Sequence, residues 1–146
     1  MTDFADTARP LTSGELDEFE RQTKIGLPKE FREFYLRNNG GSPNKEVFED
    51  ESGRCRLDSI LSIKYGAIPG LATMEEAIFA LKIKAHRLPG HLVPFGVGPF
   101  GDFFCFSTRD SDKGSIWLAR MDGIIQPEER SEYLPSSLSA FLSQLV

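Results

Sequence analysis

Two short runs, DFFCFS at residues 102–107 and SIWLAR at 115–120, carry apolar side chains at consecutive positions. Both are rich in aromatic and β-branched residues and flanked by glycine, as strands of one sheet are. Successive side chains of a strand point to opposite faces. Phe103 and Cys105 therefore face one way and Phe104 and Phe106 the other, while Trp117 opposes Ile116 and Leu118. A sheet with one face in water alternates apolar and polar residues, and this one does not. The chain must cover both faces or leave aromatic rings in solvent. Two segments are available as a second cover: the N-terminal residues 1–11 and the apolar stretch 59–72. Otherwise part of the face stays open, and a large exposed apolar patch on a globular protein often marks an interface.

The rest of the chain supplies helices. Thr12-x-x-Glu15 is a capping-box pattern opening TSGELDEFERQTKIGLP, with Leu16, Phe19 and Thr23 at helical spacing and Gly26 at its end. Pro28 suits the first position of a second helix, PKEFREFYLRNN, since its missing N–H costs nothing there. Thr73-x-x-Glu76 opens a third, TMEEAIFALKIKAHR, whose apolar stripe is Met74, Ala77, Ile78, Leu81 and Ala85. PSSLSAFLSQLV closes the chain, with Ser136 or Ser137 as its cap. Between them lie strand candidates in EVFE, CRL and HLVPFGV, and MDGIIQ reads as a turn with a short edge strand. Residues 59–72, broken by glycine and proline, read as irregular. Helices, then a meander of strands, then a helix is an α+β order. The expected fold is a twisted, mostly antiparallel sheet with helices packed on it. Residues 1–11 form an arm, and 12–146 one domain, a size ordinary for a single core.

Chemistry is sparse. GVGPFG matches the glycine fingerprint of a dinucleotide-binding turn through Gly96, Gly98 and Gly101. That turn works only between a strand and the start of a helix. Here a strand follows and Pro99 removes an N–H, so the glycines read as a turn within a sheet. His86 and His91 are the two histidines and have no cysteine nearby, which is not a metal-site spacing. Asp110, Asp112 and Gly114 begin like a calcium loop, but Met121 stands where the terminal glutamate belongs. With no G-x-S-x-G and no role for either histidine, the sequence predicts no enzyme, cofactor or metal. Cys55 and Cys105 read as reduced structural thiols.

The net charge of −5 disfavours direct nucleic-acid binding, which needs a basic face. Acidic residues bunch in FEDESG and PEERSE. No apolar run reaches the ~18 residues of a membrane span, and the acidic start lacks the pattern of a signal peptide; the expected location is cytoplasmic.

Three stretches resemble the SUKH superfamily in its Smi/Knr branch. IGLPKEFREFYLRNNGG is similar to its N-terminal signature through Leu27, Pro28, Phe31, Phe34, Leu36, Asn39, Gly40 and Gly41. GVGPFGDFFCFSTRDSDKGSIWLARMD is similar to its strand–turn–strand through Gly101, Asp102, Gly114 and Ile116. PSSLSAFLSQL resembles its closing helix. Thr23-Lys24 stands where the family often has Leu-Gly. The resemblance implies a non-catalytic protein-binding domain. In bacteria such domains look like immunity proteins that neutralise a secreted or contact-delivered toxin by binding it; in fungi, similar domains act as regulatory or scaffold modules. Under the immunity reading the partner is a toxin domain, a basic nuclease being one candidate. Glu46, Glu49, Asp50 and Glu51, with Asp110 and Asp112, would steer its approach, and Phe104 and Trp117 would anchor it.

Overall fold

The computed structural model describes residues 2–50, 53–84, 87–99, 101–120, 131–134 and 137–146, with the backbone alone at Asp50, Lys84, Ser131 and Glu132. Both capping boxes form. The Thr12 Oγ1 accepts from the Glu15 N–H at 3.2 Å while Glu15 Oε1 accepts from the Thr12 N–H at 2.9 Å, opening α1 (Ser13–Thr23). α1 ends in a left-handed Lys24 (φ 59°), two residues before the glycine expected to stop it. α2 (Lys29–Arg37) starts after Pro28, which sits at the cap position itself. Arg32 of α2 reaches back to Glu20 and Asp17 of α1 at 2.5 and 2.9 Å.

Asn39-Gly40-Gly41 locks the end of α2 to the sheet. The Asn39 amide donates to the carbonyls of Arg9 and Ile63 and accepts from the Ile63 N–H at 2.7 Å. Gly40 has φ 73°, and a Cβ there would lie 2.7 Å from the Ile60 carbonyl oxygen, so no other residue fits. The arm is docked by β1 (Phe4–Ala5) pairing with β2 (Ser42–Pro43), by the Phe4 ring 5.1 Å from Phe34, and by buried Ala8 and Leu11.

β3 (Val47–Asp50) and β4 (Gly53–Arg56) form an antiparallel hairpin. The main sheet is an antiparallel meander in the order β5 (Ser59–Ile60), β6 (Leu92–Val97), β7 (Phe103–Ser107), β8 (Ile116–Ala119), β9 (Ser131–Tyr133). The architecture is thus α+β, with three antiparallel sheets and four helices among the described residues. Four strands arise where the sequence reading placed none: β1 in the arm, β2 ahead of the hairpin, β5 inside the stretch expected to be irregular, and β9 after MDGIIQ. MDGIIQ itself and most of PEERSE lie outside the described residues, as do Ala85, His86 and Ser136. Ser137 caps α4 (Leu138–Ser143), its side chain accepting from the Ala140 N–H at 3.1 Å.

One sheet face carries the main core. Phe95, Phe104, Phe106, Ile116 and Leu118 meet α1, α2 and α4, with Phe31 4.4 Å from Phe106 and Phe141 5.4 Å from Phe104. The other face is covered by neither the arm nor residues 59–72, both of which pack into the main core. Its cover is the third helix. α3 (Met74–Ile78) buries Met74, Ala77 and Ile78 in the main core, then continues as a wider π-helical turn, Phe79–Lys84. That turn sets Leu81, with Leu88, against Leu92, Cys105 and Ala119. Lys82 clasps the arrangement, its Nζ donating to the carbonyls of Gly90 and Leu92 at 2.9 Å each. Burial pushes the Lys82 ammonium pKa down and the Cys105 thiol pKa up, keeping that thiol neutral.

The fingerprint glycines answer to the sheet. A Cβ on Gly96 would lie 2.9 Å from Leu57 Cδ1, one on Gly98 3.1 Å from the Arg56 carbonyl oxygen, and Gly101 has φ 77° on the way into β7. The Gly114 loop likewise packs on Pro28, 3.4 Å from a Cβ built there, which joins two of the motifs read separately from the sequence. Leu27 is buried beside them, and Asp102 holds the turn before β7 by accepting the Gly98 N–H on its carbonyl at 2.8 Å.

Candidate protein-binding surface

The cover over the second face reaches Ala119 on β8 but leaves Trp117 half-buried and Tyr133 on β9 exposed. Register places Trp117 between Cys105 on β7 and Tyr133 on β9. The indole is partly buried, 5.2 Å from the Tyr133 ring at 65° and 6.3 Å from the His91 ring at 87°. Its Nε1 donates to Ser115 Oγ at 3.0 Å, so its polar end is satisfied. Tyr133 remains 56% exposed. A tyrosine and a tryptophan at an edge-to-face distance make a rigid apolar step with little side-chain entropy left to lose on binding.

The β7–β8 loop frames this step with charge. Asp112 accepts from Arg109 Nε at 3.1 Å and Nη2 at 2.5 Å, and from the Ser107 hydroxyl at 2.6 Å. The Arg109 guanidinium, held by that fork, lies 5.8 Å above the Trp117 ring. These bonds, the arginine's foremost, hold the Asp112 carboxyl at a pKa of about 2. Asp110 stands exposed in the same loop. Phe79 and Ile83, 56% and 60% exposed, project from the helix that covers the rest of the face.

The expected site residues thus divide. Trp117, Asp110 and Asp112 come together at one end of β7 and β8. Glu46, Glu49 and Asp50 lie on or beside the β3–β4 hairpin, which packs near the turn before β7, at the other end. Glu51 and the Asp50 side chain lie outside the described residues. Phe104 is not an anchor: it is fully buried against Phe141 in the main core. The hairpin is also less acidic than its sequence, because Glu46 bridges Arg56 at 3.0 Å and Glu49 faces Arg54 across the strands. Asp112 is committed to Arg109 in the same way.

Tyr133, Arg109 and His91 escaped the sequence reading. Tyr133 sits in a segment whose pattern is polar, and no local spacing joins it to Trp117. Phe79 and Ile83 did leave a signal, being apolar residues off the stripe of their own helix. No cluster of three or more metal-ligating side chains occurs among the described residues, and none of the described helices is long and apolar enough to cross a membrane. In comparison with known proteins, the model of the SMI1 / KNR4 family (SUKH-1) matches residues 10–144. No curated protein matches the chain.

Proposed function

Because the chain belongs to the SMI1 / KNR4 family (SUKH-1), we propose that it works in the cytoplasm, without catalysis, by occupying a partner protein. The partner we favour is a toxin domain that the protein neutralises by direct binding. The observation that carries this reading is the Trp117–Tyr133 step, left open on a sheet face that is otherwise covered and framed by the Arg109–Asp112 fork. A few central aromatics with a charged rim is the arrangement that holds a complex and steers its encounter. The net charge of −5 suits a basic partner.

Co-expression with the product of an adjacent toxin-bearing reading frame tests it, scoring survival and co-purification. Rescue with a stable complex supports the reading. A harmless neighbour, with a host protein bound in its place, would replace it with that of a regulatory module.

A further inference from the structure

β9 is the last strand of the main sheet, and the hydrogen-bond pattern fixes which way its backbone points. The Leu134 N–H donates to the Ile116 carbonyl at 2.8 Å. Bonded and non-bonded pairs alternate along an antiparallel ladder. Ile116–Leu134 and Leu118–Glu132 are therefore bonded pairs, and Trp117–Tyr133 and Ala119–Ser131 are not. The far side of β8 agrees with this phase. There the Ser107 N–H donates to the Ser115 carbonyl at 3.0 Å, which turns the Trp117 backbone toward Cys105 on β7. The N–H and C=O groups of Ser131 and Tyr133 thus point off the edge of the sheet. Tyr133 presents its free backbone and half of the aromatic step from one residue.

Other strand edges are closed. Ile60 of β5 exchanges two bonds with Gly41, at 2.8 and 3.0 Å, and Val47 of β3 exchanges two with Val146, at 2.8 and 3.1 Å. Among the described residues, no hydrogen bond reaches the outward groups of Tyr133. The register of β9 is regular and its sequence contains no proline, so nothing in the strand itself blunts the edge. An unpaired row of this kind is a template for another strand.

We propose that the partner protein enters as an extended segment, paired antiparallel with β9 as a sixth strand of the main sheet, with an apolar side chain laid against the Trp117–Tyr133 step. The inference rests on the reading of that step as the binding surface and names what it receives. A residue opposite Tyr133 in a bonded pair has its side chain on the same face as the Tyr133 ring. One partner residue thereby supplies main-chain bonds and the ring contact together. In such pairing the main chain provides affinity and alternate side chains provide specificity. Charge selects the occupant: two copies of a chain of net charge −5 repel each other, whereas a lysine-bearing strand is attracted.

The probe is the peptide acetyl-Lys-Val-Tyr-Val-Lys-amide, whose tyrosine and lysines share one face of a strand. Its binding is measured by calorimetry at low salt, and exchange of the Tyr133 amide is followed by NMR. In the free protein the Tyr133 amide exchanges freely and that of Glu132, bonded within the sheet, slowly. Saturating peptide slows Tyr133 at least about tenfold. N-methylation of the peptide's tyrosine removes a donor that faces β9 and weakens binding at least about tenfold. N-methylation of a valine, whose amide faces away, leaves it unchanged. Ser131→Pro weakens binding likewise with the fold intact, because proline is tolerated at the first residue of an edge strand whose N–H faces solvent; the methylated peptides keep the test valid if that variant unfolds. Absence of saturable binding overturns the proposal. So does equal binding of the two methylated peptides, or a free protein that is already a dimer with a slowly exchanging Tyr133 amide. Trp117→Ala separates the two readings. Equal binding of the methylated peptides that is lost in this variant removes the strand and keeps the step, while sensitivity to tyrosine methylation with undiminished affinity in the variant keeps the strand and removes the step.

Discussion

Replacing Asn39 by alanine should cost the fold about 3–5 kcal/mol, or more than a hundredfold in its folding equilibrium. The side chain is 2% exposed and makes three hydrogen bonds: to the Arg9 carbonyl, to the Ile63 carbonyl, and from the Ile63 N–H. The last is the costly loss. Ile63 is fully buried, and an unmade buried donor costs roughly 1–3 kcal/mol. The Ile63 carbonyl keeps a second donor in the Tyr65 N–H at 2.6 Å, and the Arg9 site is only partly buried. Each of those two bonds therefore contributes nearer the net value of about 1 kcal/mol. Urea unfolding followed through Trp117, the single tryptophan, reads the loss. Trp117 lies in the other apolar cluster, so its signal reports unfolding rather than a local change at residue 39. A loss below about 1 kcal/mol would refute the idea that this side chain ties α2, the arm and the sheet together.

Phe104→Ala should cost about 3–5 kcal/mol as a core truncation. Trp117→Ala should cost about 1–2, the worth of one edge-to-face pair and one surface cation–π contact; equal losses by circular dichroism would contradict the division into core and surface rings. Gly40→Ala should lower stability by more than about 2 kcal/mol, from strain at positive φ and the clash with the Ile60 carbonyl. Gly66→Ala, with nothing within 4 Å of the new Cβ, should stay within about 0.5 kcal/mol. Glu15 should titrate at about 2 in the folded protein, held down first by the Tyr65 hydroxyl at 2.5 Å and then by the Thr12 N–H and Lys64. A depressed folded-state pKa contributes stability that is present above the ordinary carboxylate range and is lost as pH falls toward 2. NMR titration of the Glu15 carboxyl checks this, Tyr65→Phe should raise the midpoint, and a wild-type midpoint at 4.5 would contradict it.

The legible parts of this fold are those whose cause is local. A capping box acts across three residues, and both boxes formed as written. The strand meander followed from runs of β-branched and aromatic side chains, and the consecutive apolar positions of DFFCFS did mean two covered faces. Which segment supplied the second cover was not legible. Leu81 belongs to a stripe that serves the main core at Met74 and Ile78, and the switch from one face to the other occurs in a π-helical turn for which no side-chain period provides a sign. The same limit hid half of the candidate site. Trp117 stands out in any strand, but Tyr133 becomes its neighbour through pairing of β8 with β9 alone. Counting acids along the chain also overstated the acidity of the hairpin, because Arg54 and Arg56 return on the next strand opposite Glu49 and Val47.

The claim that the open aromatic step is what this protein binds with rests on one quantity: the affinity for the partner protein that co-expression identifies, before and after Trp117→Ala. An anchor of this kind typically contributes ~2 kcal/mol or more. The dissociation constant should therefore rise at least about thirtyfold, through a faster dissociation rate, in a variant whose circular dichroism matches the wild type. An unchanged dissociation constant in the folded variant would place the binding surface elsewhere on the molecule and contradict the account.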